Sequence, residues 1–155
     1  MYVERIIPVD HGNRNCKTMN FVFTSGLQES LSKPPFGDYL WFDGKYYFLS
    51  EQRIPYMRDK TVDQRFFIMT LFAIAMELDR EKNLPKDKVV VVDLPVGLPP
   101  KHYGKLYRQF EQYLKHTDII EFSYRRKQFK ISIRNVVAYQ QSYAAAMTVH
   151  EKISD

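Results

Sequence analysis

At 155 residues, with 45% apolar and 26% charged side chains, the chain has the composition of one globular domain able to bury a core, which excludes a disordered or low-complexity protein. Its single cysteine excludes an internal disulfide framework and fits a reducing cytoplasm; no apolar run is long enough to span a bilayer, and the short segment Met1 to Pro8, with Glu4 inside it, is no signal peptide. The net charge of +5 is local: residues 1–100 hold 13 basic and 13 acidic side chains, whereas residues 101–134 hold 9 basic against 3 acidic, a face that suits solvent, nucleic acid or an acidic partner.

In chain order, Ile6, Ile7 and Val9 read as a strand running in, and Thr18 to Phe23 as a strand running out. Between them lies Val9-Asp10-His11-Gly12-Asn13-Arg14-Asn15-Cys16-Lys17, with the spacing D-x-G-x-x-x-x-K. Asp-x-Gly alone is more readily a plain β-turn than a ligand loop. With the lysine it suits a metal-bound polyphosphate. Glycine lets backbone N–H groups approach phosphate oxygens, lysine supplies a point charge, and aspartate orients a magnesium ion through its waters. Residues 24–38, with Gly26, Lys33-Pro34-Pro35 and Gly37, read as a long loop. Tyr39 to Phe42 and Lys45 to Leu49 read as strands joined by Asp43-Gly44, a type I′ hairpin signal. Thr61-Val62-Asp63-Gln64 has capping-box spacing and predicts a helix from Thr61 to about Asn83. That helix is apolar nearly all round from Phe66 to Met76, so it packs on two sides.

Lys88 to Val92 reads as a buried parallel strand, followed by a loop from Asp93 to Pro100. Tyr103, Leu106, Tyr107, Phe110, Tyr113 and Leu114 then recur at helical spacing. Ile120 to Tyr124 and Phe129 to Ile133 alternate as a hairpin around Arg125-Arg126-Lys127-Gln128. Val136 to Tyr139 adds a short strand, and an Ala-rich helix runs from Gln140 to about Val149. The order predicts an α/β domain, a mixed β-sheet with covering helices. Cys16 reads as a small strand residue. Asp93 reads as a cleft residue or a loop cap. His11, His102, His116 and His150 have no ligand spacing, so no structural metal site is predicted.

Three segments, in this order, resemble the N-terminal domain of actin-like ATPases, the ribonuclease H-like superfamily of actin, heat-shock chaperone ATPase domains and sugar kinases. VDHGNRNCK is similar to its first phosphate loop. Residues 89–114, VVVVDLPVGLPPKHYGKLYRQFEQYL, are similar to the strand, G-L-P loop and helix of plasmid-partitioning actins of the ParM type. Residues 131–147, ISIRNVVAYQQSYAAAM, are similar to the strand ending in Pro-Gln-Ser and the helix after it. The resemblance implies ATP and Mg2+ as ligands. Asp10 would act on the magnesium through coordinated water, Gly12 and Asn13 would place donors on the phosphates, and Lys17 would reach the β- and γ-phosphates. Gln141 would orient the attacking water, with Gln140, which stands where the family has proline, as the alternative.

The resemblance also implies self-association into filaments for plasmid or DNA segregation in the cytoplasm, with a DNA-bound adaptor as a possible partner. The six glycines, at 12, 26, 37, 44, 97 and 104, include no adjacent pair, and no second D-x-G occurs. The chain therefore reads as the first domain of a two-domain ATPase with the second nucleotide-binding domain absent. ATP hydrolysis is expected of the two-domain protein, with little or none from this half alone. The alternative is a basic module without catalysis, docking nucleic acid or an acidic protein through residues 101–134. A sugar-kinase-like reading finds no sugar-pocket feature.

Overall fold

A computed structural model of the protein describes residues 2–57 and 59–140, and only the backbone of residues 100–103. Its ten strands are β1 (Tyr2–Ile6), β2 (Val9–His11), β3 (Asn15–Lys17), β4 (Val22–Thr24), β5 (Leu27–Ser30), β6 (Leu40–Phe42), β7 (Lys45–Leu49), β8 (Val89–Leu98), β9 (His116–Tyr124) and β10 (Lys127–Gln140); α1 (Arg65–Asp79) and α2 (Pro100–Leu114) are the two helices among the described residues. They form one mixed sheet in the order β4-β3-β2-β8-β10-β9-β6-β7-β5, with β1 on the first half of β8. The predicted α/β class and mixed sheet are what the chain adopts.

β8 is the axis of the sheet. The sequence predicts that it stops at Val92; it runs on through Pro95 and Gly97 to Leu98. The proline is tolerated because of what lies beside it. β1 pairs with β8 from Tyr2↔Val89 to Ile6↔Asp93, and β2 resumes in the same register at Val9↔Val96, so Pro8 and Pro95 lie level with each other. The Ile7 N–H donates to the Asp93 carbonyl (3.0 Å). The return bond of a parallel ladder would come from residue 95, which as proline has no N–H. The two prolines therefore face each other at a single interruption, and β1 and β2 are one strand broken there.

β10 pairs with β8 in parallel from Ile131 to Gln140 and with β9 as a hairpin over its first half. The predicted four-residue loop is a two-residue turn, Arg125-Arg126, with both residues at positive φ (50° and 66°). The expected separate strand at Val136–Tyr139 is the continuation of β10 past a bulge between Ile133 and Asn135. The bulge is held by Asp93, whose carboxylate accepts from Arg134 (2.7 and 3.2 Å) and from Asn135 Nδ2 (2.8 Å). Those bonds hold the Asp93 carboxyl below the usual range, the Arg134 bond foremost. Asp93 thus pins the sheet from within β8 and caps no loop. Beyond β9, the edge of β10 is covered by α2, where the Glu111 carboxylate accepts from the Ala138 N–H (2.8 Å).

The Asp43-Gly44 turn forms as predicted, both residues at positive φ (50° and 80°). The expected loop 24–38 contains β5, which pairs with β7. The expected capping box does not form. Thr61 bonds back to Asp59, and α1 begins four residues later at Arg65. Its start is capped from outside: the Tyr113 hydroxyl of α2 accepts from the Phe67 N–H (2.9 Å) and donates to the Asp63 carbonyl (2.6 Å). The continuous burial of Phe66 to Ala75 confirms packing on more than one side, at roughly 1.5–3 kcal/mol for each large apolar side chain fully removed from water. On α2, Phe110 and Leu114 are buried and Leu106, Tyr107 and Tyr113 half-buried, as the spacing predicts. The predicted third helix lies outside the described residues.

Candidate functional site

The outgoing strand of the D-x-G-x-x-x-x-K segment starts at Asn15, not Thr18, and Thr18 to Phe21 form the next turn, closed by the Thr18 N–H on the Phe21 carbonyl (2.8 Å). In the β2–β3 hairpin, Asp10 pairs with Lys17 and His11 with Cys16. Directly opposed residues of an antiparallel pair share a face, and successive residues alternate. Asp10 and Lys17 therefore lie on one face, His11 and Cys16 on the other.

The His11 face is inside. His11 is fully buried between α1 and α2, its ring edge-on to Phe110 with centroids 5.0 Å apart and its Nε2 2.7 Å from Thr70 Oγ1. Thr70 spends its hydroxyl proton on the Phe66 carbonyl (2.7 Å), so Nε2 carries the hydrogen and donates. Burial pushes the His11 pKa down to about 3, with the nearby Lys60 charge adding to the effect. Burial likewise raises the Cys16 thiol to about 12. Neither is a catalytic group at neutral pH.

The Asp10 face looks away from α1 and α2. Asp10 stands beside Gly97 of β8, and Gly97 beside Tyr139 of β10. A Cβ on Gly97 would stand 2.5 Å from Asp10 Oδ1 and 3.3 Å from a Tyr139 ring carbon. Gly97 is thus the floor that admits the Asp10 carboxylate. Lys17, Asp10, Gly97 and Tyr139 form one row across four neighbouring strands. The row lies at the carboxyl ends of β2, β8 and β10, where ligands of open α/β sheets bind. Burial raises the Tyr139 hydroxyl to about 12, and the Asp10 charge pushes the same way.

The turn between Asp10 and Lys17 is braced. The Gly12 N–H donates to the Asn15 carbonyl (3.0 Å), so the backbone donor predicted for a ligand at Gly12 is spent inside the turn. The buried Ser25 donates its hydroxyl to the Gly12 carbonyl (2.8 Å) and its N–H to the Arg14 carbonyl (2.9 Å). Buried Lys60 donates to Asn13 Oδ1 (2.9 Å). Gln140 ends β10 one position past Tyr139, and it is exposed. Gln141 lies outside the described residues. The structure therefore unites Asp10, Gly12, Asn13 and Lys17 in one hairpin, with Gln140 two strands away. Sequence reasoning missed Ser25, Lys60 and the role of Gly97. Of these, only Gly97 had a signal, a glycine inside a β-branched and apolar run.

Two hollows, about 370 and 400 Å3, lie between β5 and the start of α1 and along Leu84 to Lys88, and neither is lined by Asp10 or Lys17. Four of the nine basic residues of 101–134 pair with acids. Arg125 and Lys127 both pair with Asp79 (2.9 and 2.6 Å), Lys130 with Glu121 (3.9 Å), and Arg134 with Glu4 and Asp93 (2.8 and 2.7 Å). Among the described residues, no helix is long and apolar enough to cross a membrane.

A mixed sheet with the Asp10–Lys17 hairpin at the carboxyl ends of its parallel strands is the frame of an actin-like α/β domain. The family described as "Actin like proteins N terminal domain" matches residues 4–143, and the chain belongs to it. Among solved structures it is similar to the apo ParM protein of psk41 (TM-score 0.67, 16% identity, covering 89% of this chain and 50% of that one). It is similar to an AlfA filament bound to AMPPNP (0.60, 16%, 92% and 55%) and to Ta0583, an archaeal actin homolog, in complex with ADP (0.63, 13%, 95% and 47%). At these identities the likeness is one of fold, and the chain spans about half the length of these structures. No curated protein matches it.

Proposed function

We propose that this domain forms one wall of an ATP–Mg2+ site in an actin-like protein that self-associates into filaments for plasmid or DNA segregation. The observation that carries the reading is the β2–β3 register: Asp10 and Lys17 are direct cross-strand partners on one face, beside the glycine that makes room for the carboxylate. The donor set fits the group. A carboxylate suits the water shell of magnesium, and a lysine seven positions on suits the β- and γ-phosphates. Asn13 offers an amide at the turn. Gln141, or Gln140 one position earlier, holds the attacking water by hydrogen bonding, a task that needs no shifted pKa. Magnesium, when bound, supplies charge neutralisation at the phosphate oxygens. The similarity to structures described as an AMPPNP-bound filament and an ADP complex supports both parts of the reading. Head-to-tail contacts between copies generate open polymers, and a DNA-bound adaptor would link the polymer to its cargo.

The test is magnesium-dependent binding of a fluorescent ATP analogue by the intact protein, with sedimentation of polymer. The wild type binds and pellets. Asp10→Ala and Lys17→Ala each weaken binding by at least about tenfold, the scale of one lost charge-assisted contact. A wild type that neither binds with magnesium nor pellets overturns the reading. The pairing of Arg125, Lys127, Lys130 and Arg134 with acids weighs against the alternative basic-module reading.

A further inference from the structure

Lys60 comes from an irregular segment in front of α1, yet it is 3% exposed. Its ammonium lies behind the β2–β3 turn, 2.9 Å from Asn13 Oδ1 and 5.1 Å from the centroid of the Phe66 ring. A cation removed from water on this scale is costly and is retained where something repays it. Several of the groups around it carry no charge. β2 contributes His11, which is neutral. β3 contributes Cys16, whose thiol is protonated. α1 contributes the Phe66 ring, and the turn contributes Asn13. Asp10 lies on the opposite face of β2, and Asp59, next to Lys60 in sequence, is engaged by Thr61 and Gln109. The carboxamide of Asn13 has two ends. With Oδ1 turned inward to Lys60, Nδ2 is turned outward, toward the side where the turn meets solvent.

We propose that Lys60 is a positioning residue for an anion at the β2–β3 turn: it fixes the Asn13 carboxamide with its NH2 outward and places a buried positive charge behind the phosphate position. The inference rests on the ATP–Mg2+ reading and adds to it a second cation that the D-x-G-x-x-x-x-K spacing does not contain. Burial already lowers Lys60 to about 8, so its charge is present at pH 7 and lost as pH rises through that value. His11, at about 3, and Cys16, at about 12, keep their neutral forms across that window. An anion on the turn holds the proton on Lys60, so anion affinity falls as pH rises.

The test uses the intact protein with inorganic triphosphate and with MgATP as probes, from pH 7 to 9.5. Wild-type affinity is expected to fall about tenfold across that range, which ends about 1.5 pH units above the Lys60 value, where most molecules have lost that proton. Lys60→Met is expected to bind about tenfold more weakly at pH 7 with a flat profile, while its melting temperature without ligand is unchanged or higher, as replacement of a buried charge by an apolar chain predicts. Lys60→Gln keeps a donor for Asn13 Oδ1 and is expected to keep the wild-type Asn13 side-chain NH2 resonances in NMR spectra of the free protein, with a flat pH profile. Should Lys60→Met not fold, Asn13→Ala and the wild-type profile carry the test. A Lys60→Met protein that binds like the wild type with the same pH dependence overturns the Lys60 role and leaves the ATP–Mg2+ reading standing. A wild type that binds neither probe overturns both.

Discussion

Two tight turns in this domain carry positive charge, and they handle it in opposite ways. The β9–β10 turn displays Arg125 and Arg126 openly in the sequence, followed by Lys127. On the surface two of these three meet acids: Arg125 lies 3.6 Å from Asp38 and 2.9 Å from Asp79, and Lys127 lies 2.6 Å from Asp79. The β2–β3 turn shows a single lysine on its outer face, yet it is backed by the buried ammonium of Lys60. The lesson is about dielectric. Solvated ion pairs at the first turn contribute at most about 1 kcal/mol each and leave little field for a partner. A cation held in a poorly solvated setting projects more strongly onto its surroundings. The abundance of charge in a stretch of sequence is therefore a poor guide to where an anion would bind.

The contrast is broken most severely at Gly97. Gly97→Val puts side-chain atoms where the Asp10 carboxylate lies, 2.5 Å from the first added carbon. MgATP binding should be lost and stability should fall by about 1–3 kcal/mol, the usual cost of overpacking. A variant with wild-type melting and binding would show that the carboxylate does not depend on that floor. Next comes the inner face of the hairpin. His11 charges only near pH 3 in the fold but at 6.5 when unfolded, so the unfolded chain binds the extra proton on acidification and stability falls from pH 6.5 toward 3. Between pH 7 and pH 5 the loss is about 2 kcal/mol, and His11→Gln, which keeps a donor for Thr70, should flatten it in denaturant titrations. The smallest effect belongs to the exposed turn. Arg126 holds φ 66°, where glycine is at ease, so Arg126→Gly should raise stability by roughly 0.5–1 kcal/mol. Changing Arg125, Arg126 and Lys127 to Ala together should leave duplex-DNA retention at low salt unaltered; a salt-sensitive loss would restore that turn as a binding surface.

Much of the frame was legible because local chemistry and tertiary structure agree. Asp43-Gly44 makes its turn, the Tyr107–Phe110–Leu114 stripe faces the core, and Asp10 and Lys17 flank one hairpin. The failures share a cause, which is that distant partners overrode local preference. Pro95 reads as the end of a strand unless Pro8 is known to lie level with it. Thr61 reads as a cap until Tyr113, from the other helix, takes that duty. Leu27 to Ser30 read as loop because their ladder partner, β7, lies beyond two prolines and two glycines. At the site, the acid, the turn and the lysine were readable from spacing. Ser25 and Lys60 were not, since a residue that braces a turn from behind needs only to be near in space.

The pairing of Pro8 with Pro95 has a consequence for how the molecule is made. The hairpin that brings Asp10 to Lys17 closes within a few residues and can form as soon as they are synthesised, whereas its register against Gly97 spans most of the domain. Such remote pairings form late, because the intervening loop must first be ordered. A nascent chain released before β8 is complete would carry the whole D-x-G-x-x-x-x-K motif and none of the floor beneath it.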